Sequence, residues 1–425
     1  MNRLNHVGLN STRSNHSTHS TCSIFSNCSA AQVVGVVALT ACAVLGAASG
    51  RGVTRCPEAR PVILPVCDTP PAEDVASATR AVDLVICLDT SGSMDGLIDA
   101  ARQRIWSLVN DLAVANPRPA LRVGVISFGH STYSEAEGWT RVIVPLTGDL
   151  DEVSEKLFGL TTDGGTEYVG RAIHVATTGL EWTAEAGALK LIVVAGNEEA
   201  DQDTTVTYQD ACAAAIAKGI MVNTIYCGDA NDAVAPGWRD VARLADGEYA
   251  AIDQHRNTVP ATPHDEALAT LSAALNETYV AYGTAGRARE ENQARQDANA
   301  MAASPSAAAE RANVKAGAMY RAASWDLVDA VLGAEEGARV NLADLKAEEL
   351  PEVLRGKTTA EQRAFLEAKQ RARAEIQRRI GEEHAKRVAY LEEARAAEGG
   401  TGDFGTALRD AVRRQAGKKG FRWEK

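Results

Sequence analysis

The chain lacks the short motifs that mark the commoner kinds of catalysis. It has no Gly-x-Ser-x-Gly nucleophile elbow and no Gly-x-x-x-x-Gly-Lys-[Ser/Thr] phosphate loop. The Asp-x-Asp of aspartyl phosphoryl transfer is replaced by Asp89-Thr90-Ser91. A hydrolase would have to use Asp89 or Ser91 as nucleophile with His130 or His174 as base. His174 falls inside an expected helix, where a packed histidine is commoner, and His130 follows a strand end. Basic charge is also short, with 44 Lys and Arg against 56 Asp and Glu, a formal −12. Neutralising phosphates needs the opposite sign, so nucleic acid is not an expected partner. The cysteines form no metal pattern: Cys56 and Cys67 are too far apart for Cys-x-x-Cys, and in an exported linker they would form a disulfide. Cys87 reads as a small core residue.

What is present is an apolar run, Asp83 to Leu88, that ends in Asp89-Thr90-Ser91-Gly92-Ser93-Met94. Such a run suits a strand buried on both faces of a parallel sheet. Asp89, Ser91 and Ser93 fall at spacing two across a glycine turn where the strand hands over to a helix. That is the carboxyl edge, where open α/β sheets bind ligands. One carboxylate and two hydroxyls make a hard-oxygen set suited to Mg2+, Mn2+ or Ca2+. Taken alone, the same residues serve equally as a turn and a helix cap. A second glycine-flanked oxygen loop, Thr161-Thr162-Asp163-Gly164-Gly165-Thr166-Glu167, favours the metal reading.

The Asp-x-Ser-x-Ser run with its distant Gly-Gly-Thr resembles the metal-ion-dependent adhesion site of von Willebrand factor type A domains. Residues from about 82 to 282 fit that family's element order. The resemblance implies a doubly wound, Rossmann-like α/β sheet. It further implies a divalent ion held by Ser91 and Ser93, by Thr166 directly or through water, and by Asp89 partly through water. One position would stay open for an acidic residue of a protein partner. The family's third ligand lies in a strand ending Thr-Asp-Gly. Here the matching strand, Lys190 to Glu199, puts Ala195 where that Asp would be, and Asn197 and Glu198 are the candidates to reach the ion from the loop beyond.

Residues 1–30 are rich in Ser, Asn, Thr and His, and are expected to be disordered. Residues 30–50 include an uncharged apolar run, Ala30 to Ser49, in which Leu39-Thr40-Ala41-Cys42 resembles a bacterial lipobox. A lipoprotein signal, a cleaved signal and an uncleaved anchor are the three readings. All three export the chain and the first and last attach it to a membrane, periplasmic or at the cell surface. Residues 51–80 read as a Pro-rich spacer.

Within 81–283, six strands are expected near Asp83–Leu88, Leu121–Phe128, Arg141–Pro145, Lys190–Ala195, Met221–Tyr226 and Glu248–Ile252, with helices between most of them and an edge hairpin. Trp106, Trp182 and Trp238 read as packing residues. Residues 284–320 suit a polar helix or connector. Residues 321–425 read as helical: a short helix around Trp325–Val331, then a long one opened by the capping box Thr358-Thr359-Ala360-Glu361. Its Phe365, Ala372, Ile376 and Tyr390 fall on one face. A docked helix over Phe404–Ala416 follows, whose Arg413 and Arg414 read as a solvated basic face. The expected function is metal-dependent binding at the cell envelope. A structural scaffold with a degenerate metal site is the alternative, and a hydrolase ranks third.

Overall fold

The structure, a computed structural model, describes residues 80–99, 107–109, 111–112, 115–185, 187–252, 261–317, 319–320, 322–333, 340–397 and 404–423. Residues 1–30, expected to be disordered, the apolar run, Cys42, Cys56, Cys67 and Trp106 lie outside them. Its centre is a six-stranded sheet: β1 (Arg80–Asp89), β2 (Pro119–Phe128), β3 (Thr140–Thr147), β4 (Leu189–Gly196), β5 (Met221–Tyr226) and β6 (Tyr249–Ala251), in the order β3-β2-β1-β4-β5-β6. All neighbours run parallel except the edge pair β2 and β3. The expected edge hairpin is therefore found.

Strand β1 is buried on both faces, as its continuous apolar run requires. Leu84, Ile86 and Leu88 pack on one side with Leu150, Val153 and Leu157 of α1 (Leu150–Phe158) and with Leu408 and Val412 of α10 (Phe404–Lys418). Val85 and Cys87 face the other side, against α2 (Val169–Gly179), α3 (Tyr208–Ala217) and α4 (Ala235–Leu244). Cys87, Cys212 and Cys227 are buried free thiols. After β1 the chain builds β2 and β3 to one side, then crosses back to lay β4 on the other. The switch point of this doubly wound sheet therefore lies between β1 and β4, and that is where such sheets open a crevice.

Beyond the sheet come α5 (Asp265–Asn276), α6 (Gly283–Ala303), α7 (Pro305–Ala316), α8 (Leu327–Leu332) and the 39-residue α9 (Thr359–Ala397). The capping box opens α9 as its sequence implies: the Thr358 hydroxyl accepts from the Glu361 amide at 3.3 Å, and the Glu361 carboxylate accepts from the Thr358 amide at 2.8 Å. The buried stripe of α9 differs from the apolar one in the sequence. Ala372 and Tyr390 are exposed, and Leu366, Arg373, Ile380 and Arg387, spaced by seven, face inward. Two of these four are arginines because their partners are buried acids. Arg373 binds Asp326 at 2.7 Å and Asp329 at 2.6 Å, and Arg387 binds Asp265 at 2.8 Å and Glu310 at 2.6 Å. Arg414 is exposed, as the basic face requires, and reaches Glu248 at 3.0 Å, whereas Arg413 is only partly solvated because it pairs with the buried Asp111. Among the described residues no helix is long and apolar enough to cross a membrane.

Removing one partner of a buried ion pair leaves the other charge uncompensated. Arg373→Ala should therefore lower the unfolding free energy by about 3–5 kcal/mol. Arg378→Ala, on the exposed side of the same helix, should leave it close to the wild-type value. Chemical denaturation of the two variants checks this.

Candidate metal centre

The site grows from the last residue of β1. Asp89 is fully buried, and its Oδ1 accepts the Ser91 amide at 2.8 Å, which turns the chain into the short 3-10 helix Gly92–Met94. Its Oδ2 is also buried and has no hydrogen-bond partner. A bare buried carboxylate oxygen is costly, and a cation is the partner that offsets such a cost most fully.

Two glycines make the room around this carboxylate. A Cβ on Gly196, the last residue of β4, would lie 2.9 Å from Asp89 Oδ2 and 2.9 Å from Cη2 of Trp238. A Cβ on Gly129, which has φ +77°, would lie 2.8 Å from Asp89 Oδ1, 3.1 Å from Cγ of Glu167 and 3.4 Å from Cβ of Ser91. These distances correct the sequence reading by one residue. Ala195 pairs with Leu88 in the ladder and packs in the same core cluster as Leu84, Ile86 and Leu88. Gly196 is the β4 residue that abuts Asp89.

From Asp89 the oxygens run outward in a chain. Ser91 Oγ lies 2.9 Å from Ser93 Oγ, and the Ser93 hydroxyl donates to Asn197 Oδ1 at 3.0 Å. The Asn197 amide in turn donates to the Ser93 carbonyl at 3.3 Å, which joins the loop after β1 to the loop after β4. The Thr161–Glu167 loop closes on the same place. The Asp163 amide donates to the Thr90 carbonyl at 3.0 Å, Gly165 packs against the backbone of Gly129 and His130, and Gly92 faces Gly164. Thr166, on that loop, is partly buried. Glu198 is partly buried too, and its backbone carbonyl accepts the Trp238 indole at 2.8 Å. Glu199 and Asp201 are exposed.

Glu167 is a site residue that the sequence reading passed over. It is half-buried beside Gly129, and its amide donates to Gln202 Oε1 at 3.4 Å. Gln202 is fixed by its neighbour Asp203, which accepts the amides of Thr205 and Val206 and pairs with Arg171 at 2.9 Å. The signal for Glu167 was its place directly after Thr166.

Electrostatically the centre is short of positive charge. Burial pushes the Asp89 carboxyl up to about 7; the nearby charges of Glu167 and Glu198 add to the rise, while the Ser91 amide and hydroxyl oppose it. Burial and the charge of Glu198 raise Glu167 as well. Among the described residues no three His, Cys, Asp or Glu side chains converge to hold a metal, so any donor set has at most two carboxylates, the rest being neutral oxygens. Such a set fits a hard divalent ion. His130 is turned to structure: its Nδ1 bonds the Thr132 hydroxyl at 2.9 Å and its ring stacks on Tyr133.

Residues 83–235 match the family model of the von Willebrand factor type A domain. The segment has the fold of that domain. Solved structures similar to the chain include the VWA domain of SpRpn10, at 16% identity and a TM-score of 0.32, covering 44% of this chain and 90% of that one. Proximal thread matrix protein 1 from the mussel byssus, solved with a zinc-occupied MIDAS motif, is 11% identical with a TM-score of 0.32, covering 42% of this chain and 43% of that one. The pilus adhesin SpaC of Lactobacillus rhamnosus GG is 16% identical with a TM-score of 0.32, covering 41% and 28%. The chain thus spans less than half of the latter two. No curated protein matches it.

Because any Cβ at position 196 collides with Asp89 and Trp238, Gly196→Ala should destabilise the von Willebrand type A domain by about 1–3 kcal/mol, the usual cost of overpacking. Gly219→Ala, with open space around its Cβ but φ +69°, is the comparison for backbone strain alone. Thermal melts of both variants against the wild type check this.

Proposed function

We propose that the chain is a binding protein whose von Willebrand type A domain takes a divalent cation, Mg2+ or Mn2+ and less favourably Ca2+, between β1 and β4. Through that ion it would hold an acidic group of a protein partner. The observation that carries this reading is the buried, unpartnered Asp89 Oδ2 at the switch point of the sheet. Asp89, Ser91 and Ser93 form the inner oxygens of the proposed set. Thr166, Asn197 and Glu198 stand at its rim, on loops that the structure draws together. A bound ion would supply the positive charge that this cluster lacks, and an open coordination position for a carboxylate.

The chain's own residues prepare the place. The Ser91 amide orients Asp89, the Ser93–Asn197 hydrogen bonds fix the spacing of the two loops, and Trp238 walls off the inner side. The loops Gly129–Trp139, Gly196–Thr205 and Gly228–Gly237 surround this edge and are where partner specificity would be written. Binding is favoured over catalysis because His130, the histidine nearest the site, is engaged by Thr132 and Tyr133.

Calorimetric titration of the purified chain with MgCl2 and MnCl2 tests the reading. Saturable heat in the wild type, lost in Asp89→Ala and Ser93→Ala while thermal melts stay cooperative, is the expected result. A wild type that gives no heat at millimolar metal would leave the domain as a scaffold.

The second part of the proposal is location. The apolar run Ala30 to Ser49 would export the chain and leave the domain tethered outside the cytoplasm through the Pro-rich spacer. Cys42→Ser should release soluble protein if the tether is an acylated Cys42, and leave attachment unchanged if it is a helical anchor; membrane fractionation reads the outcome. Native protein found soluble in the cytoplasm, with Cys56 and Cys67 reduced, would overturn both.

A further inference from the structure

Strand β4 cannot bring a carboxylate to this centre. A side chain of any size at 196 would begin 2.9 Å from Asp89 Oδ2, 3.0 Å from Asp89 Cβ and 2.9 Å from the Trp238 ring. That leaves one fully buried carboxylate, Asp89, to offset the two charges of a divalent ion. On the opposite wall stands Glu167, half-buried, its Cγ 3.1 Å from where a Gly129 Cβ would be, and so on the same side of Asp89 as Oδ1 and Ser91. The same Cβ position lies 3.4 Å from Ser91 Cβ, so the Glu167 side chain stands beside the Ser91–Ser93 pair, whose hydroxyl oxygens are 2.9 Å apart. Gln202 Oε1 accepts the Glu167 amide at 3.4 Å, which holds the residue in place. A surface glutamate needs no such holding. The bare Asp89 Oδ2, fully buried, is the independent sign that a cation belongs here.

We infer that Glu167 supplies the second carboxylate of the cation site, from the loop facing β4, in place of the one that Gly196 excludes. The inference rests on the proposed cation reading and deepens it. Two negative side chains with two serine hydroxyls and Asn197 form a set of hard oxygens that matches a divalent charge. Gln202 is then a positioning residue, which sets the reach of Glu167 without touching the ion. Glu198 stands farther along the loop after β4, where its backbone carbonyl accepts the Trp238 indole at 2.8 Å.

The test is MnCl2 titration of the full chain by calorimetry, for the wild type, Glu167→Gln, Glu167→Asp, Glu198→Gln and Ser93→Ala, each with a thermal melt in the absence of metal. Glu167→Gln should weaken Mn2+ binding by about tenfold or more, the loss expected when a group that shapes a metal site is removed, with its melt unchanged. Glu167→Asp keeps the charge on a shorter arm and should fall between it and the wild type, which also covers the case in which the amide variant folds poorly. Glu198→Gln, at the rim of the set, should weaken binding by clearly less than Glu167→Gln does. Wild-type affinity in Glu167→Gln, with binding lost in Ser93→Ala, would overturn this inference and leave the cation site standing. Equal losses in Glu167→Gln and Glu198→Gln would also overturn it, since the effect would then be the general field. No Mn2+ binding by the wild type would instead overturn the cation reading itself.

Discussion

The carboxylate of Asp89 sets the terms for everything around it. It sits at the end of the most buried strand of the sheet, one oxygen tied to the Ser91 amide and the other bare. A buried ionised group must be paired, solvated or neutralised. The surroundings rule out the usual pairings, because the carboxyl neighbours Glu167 and Glu198 repel it and burial already pushes it up to about 7. The two flanking residues are glycines, since a Cβ at 129 or 196 would strike one carboxylate oxygen or the other. The helix side is closed by the Trp238 ring, held by the Glu198 carbonyl. What these constraints leave is one buried carboxylate oxygen with no hydrogen-bond partner, which is the ground of the proposed cation site.

Much of the fold was legible because it follows from hydrophobic period alone. Strand β1 announced itself by an unbroken apolar run, and the Asp-x-Ser-x-Ser turn at its end lies at the switch point as its order in the chain implies. The site itself was less legible, for three physical reasons. Which residue of β4 meets Asp89 depends on register, and a shift of one residue exchanges the two faces of a strand; hence Ala195 was read where Gly196 stands. Glu167 gives no signal of its own in the sequence. It becomes a site residue only when the Thr161–Glu167 loop folds onto Thr90 and Gly129, contacts that span tens of positions. The third failure is the set of arginines. Arg373, Arg387 and Arg413 look like solvated charges by composition, yet each meets a buried acid from a distant segment. A periodicity that counts only apolar residues therefore reads α9 on a face turned away from its true stripe.

Where the helical region is attached explains how it can be large without obstructing the proposed centre. Its attachments to the sheet lie at the amino ends of the parallel strands. Arg80, the first residue of β1, bonds the Lys419 carbonyl, and Asn116, just before β2, exchanges backbone hydrogen bonds with Arg422 at 2.8 and 2.7 Å. Gln415 pairs with Asn223 near the start of β5 at 2.8 and 3.0 Å. Asp149 and Asp151, just past the end of antiparallel β3 and so at the same edge, hold Arg289 and Arg311. Asp89, Gly196 and the oxygen loops lie at the other, carboxyl edge. In parallel strands of six to ten residues, at about 3.3 Å per residue, the two edges stand roughly 20–30 Å apart. Among the described residues, contacts that hold the helices at one edge thus keep them away from the opposite edge, where the loops after β1, β2, β4 and β5 surround the proposed centre.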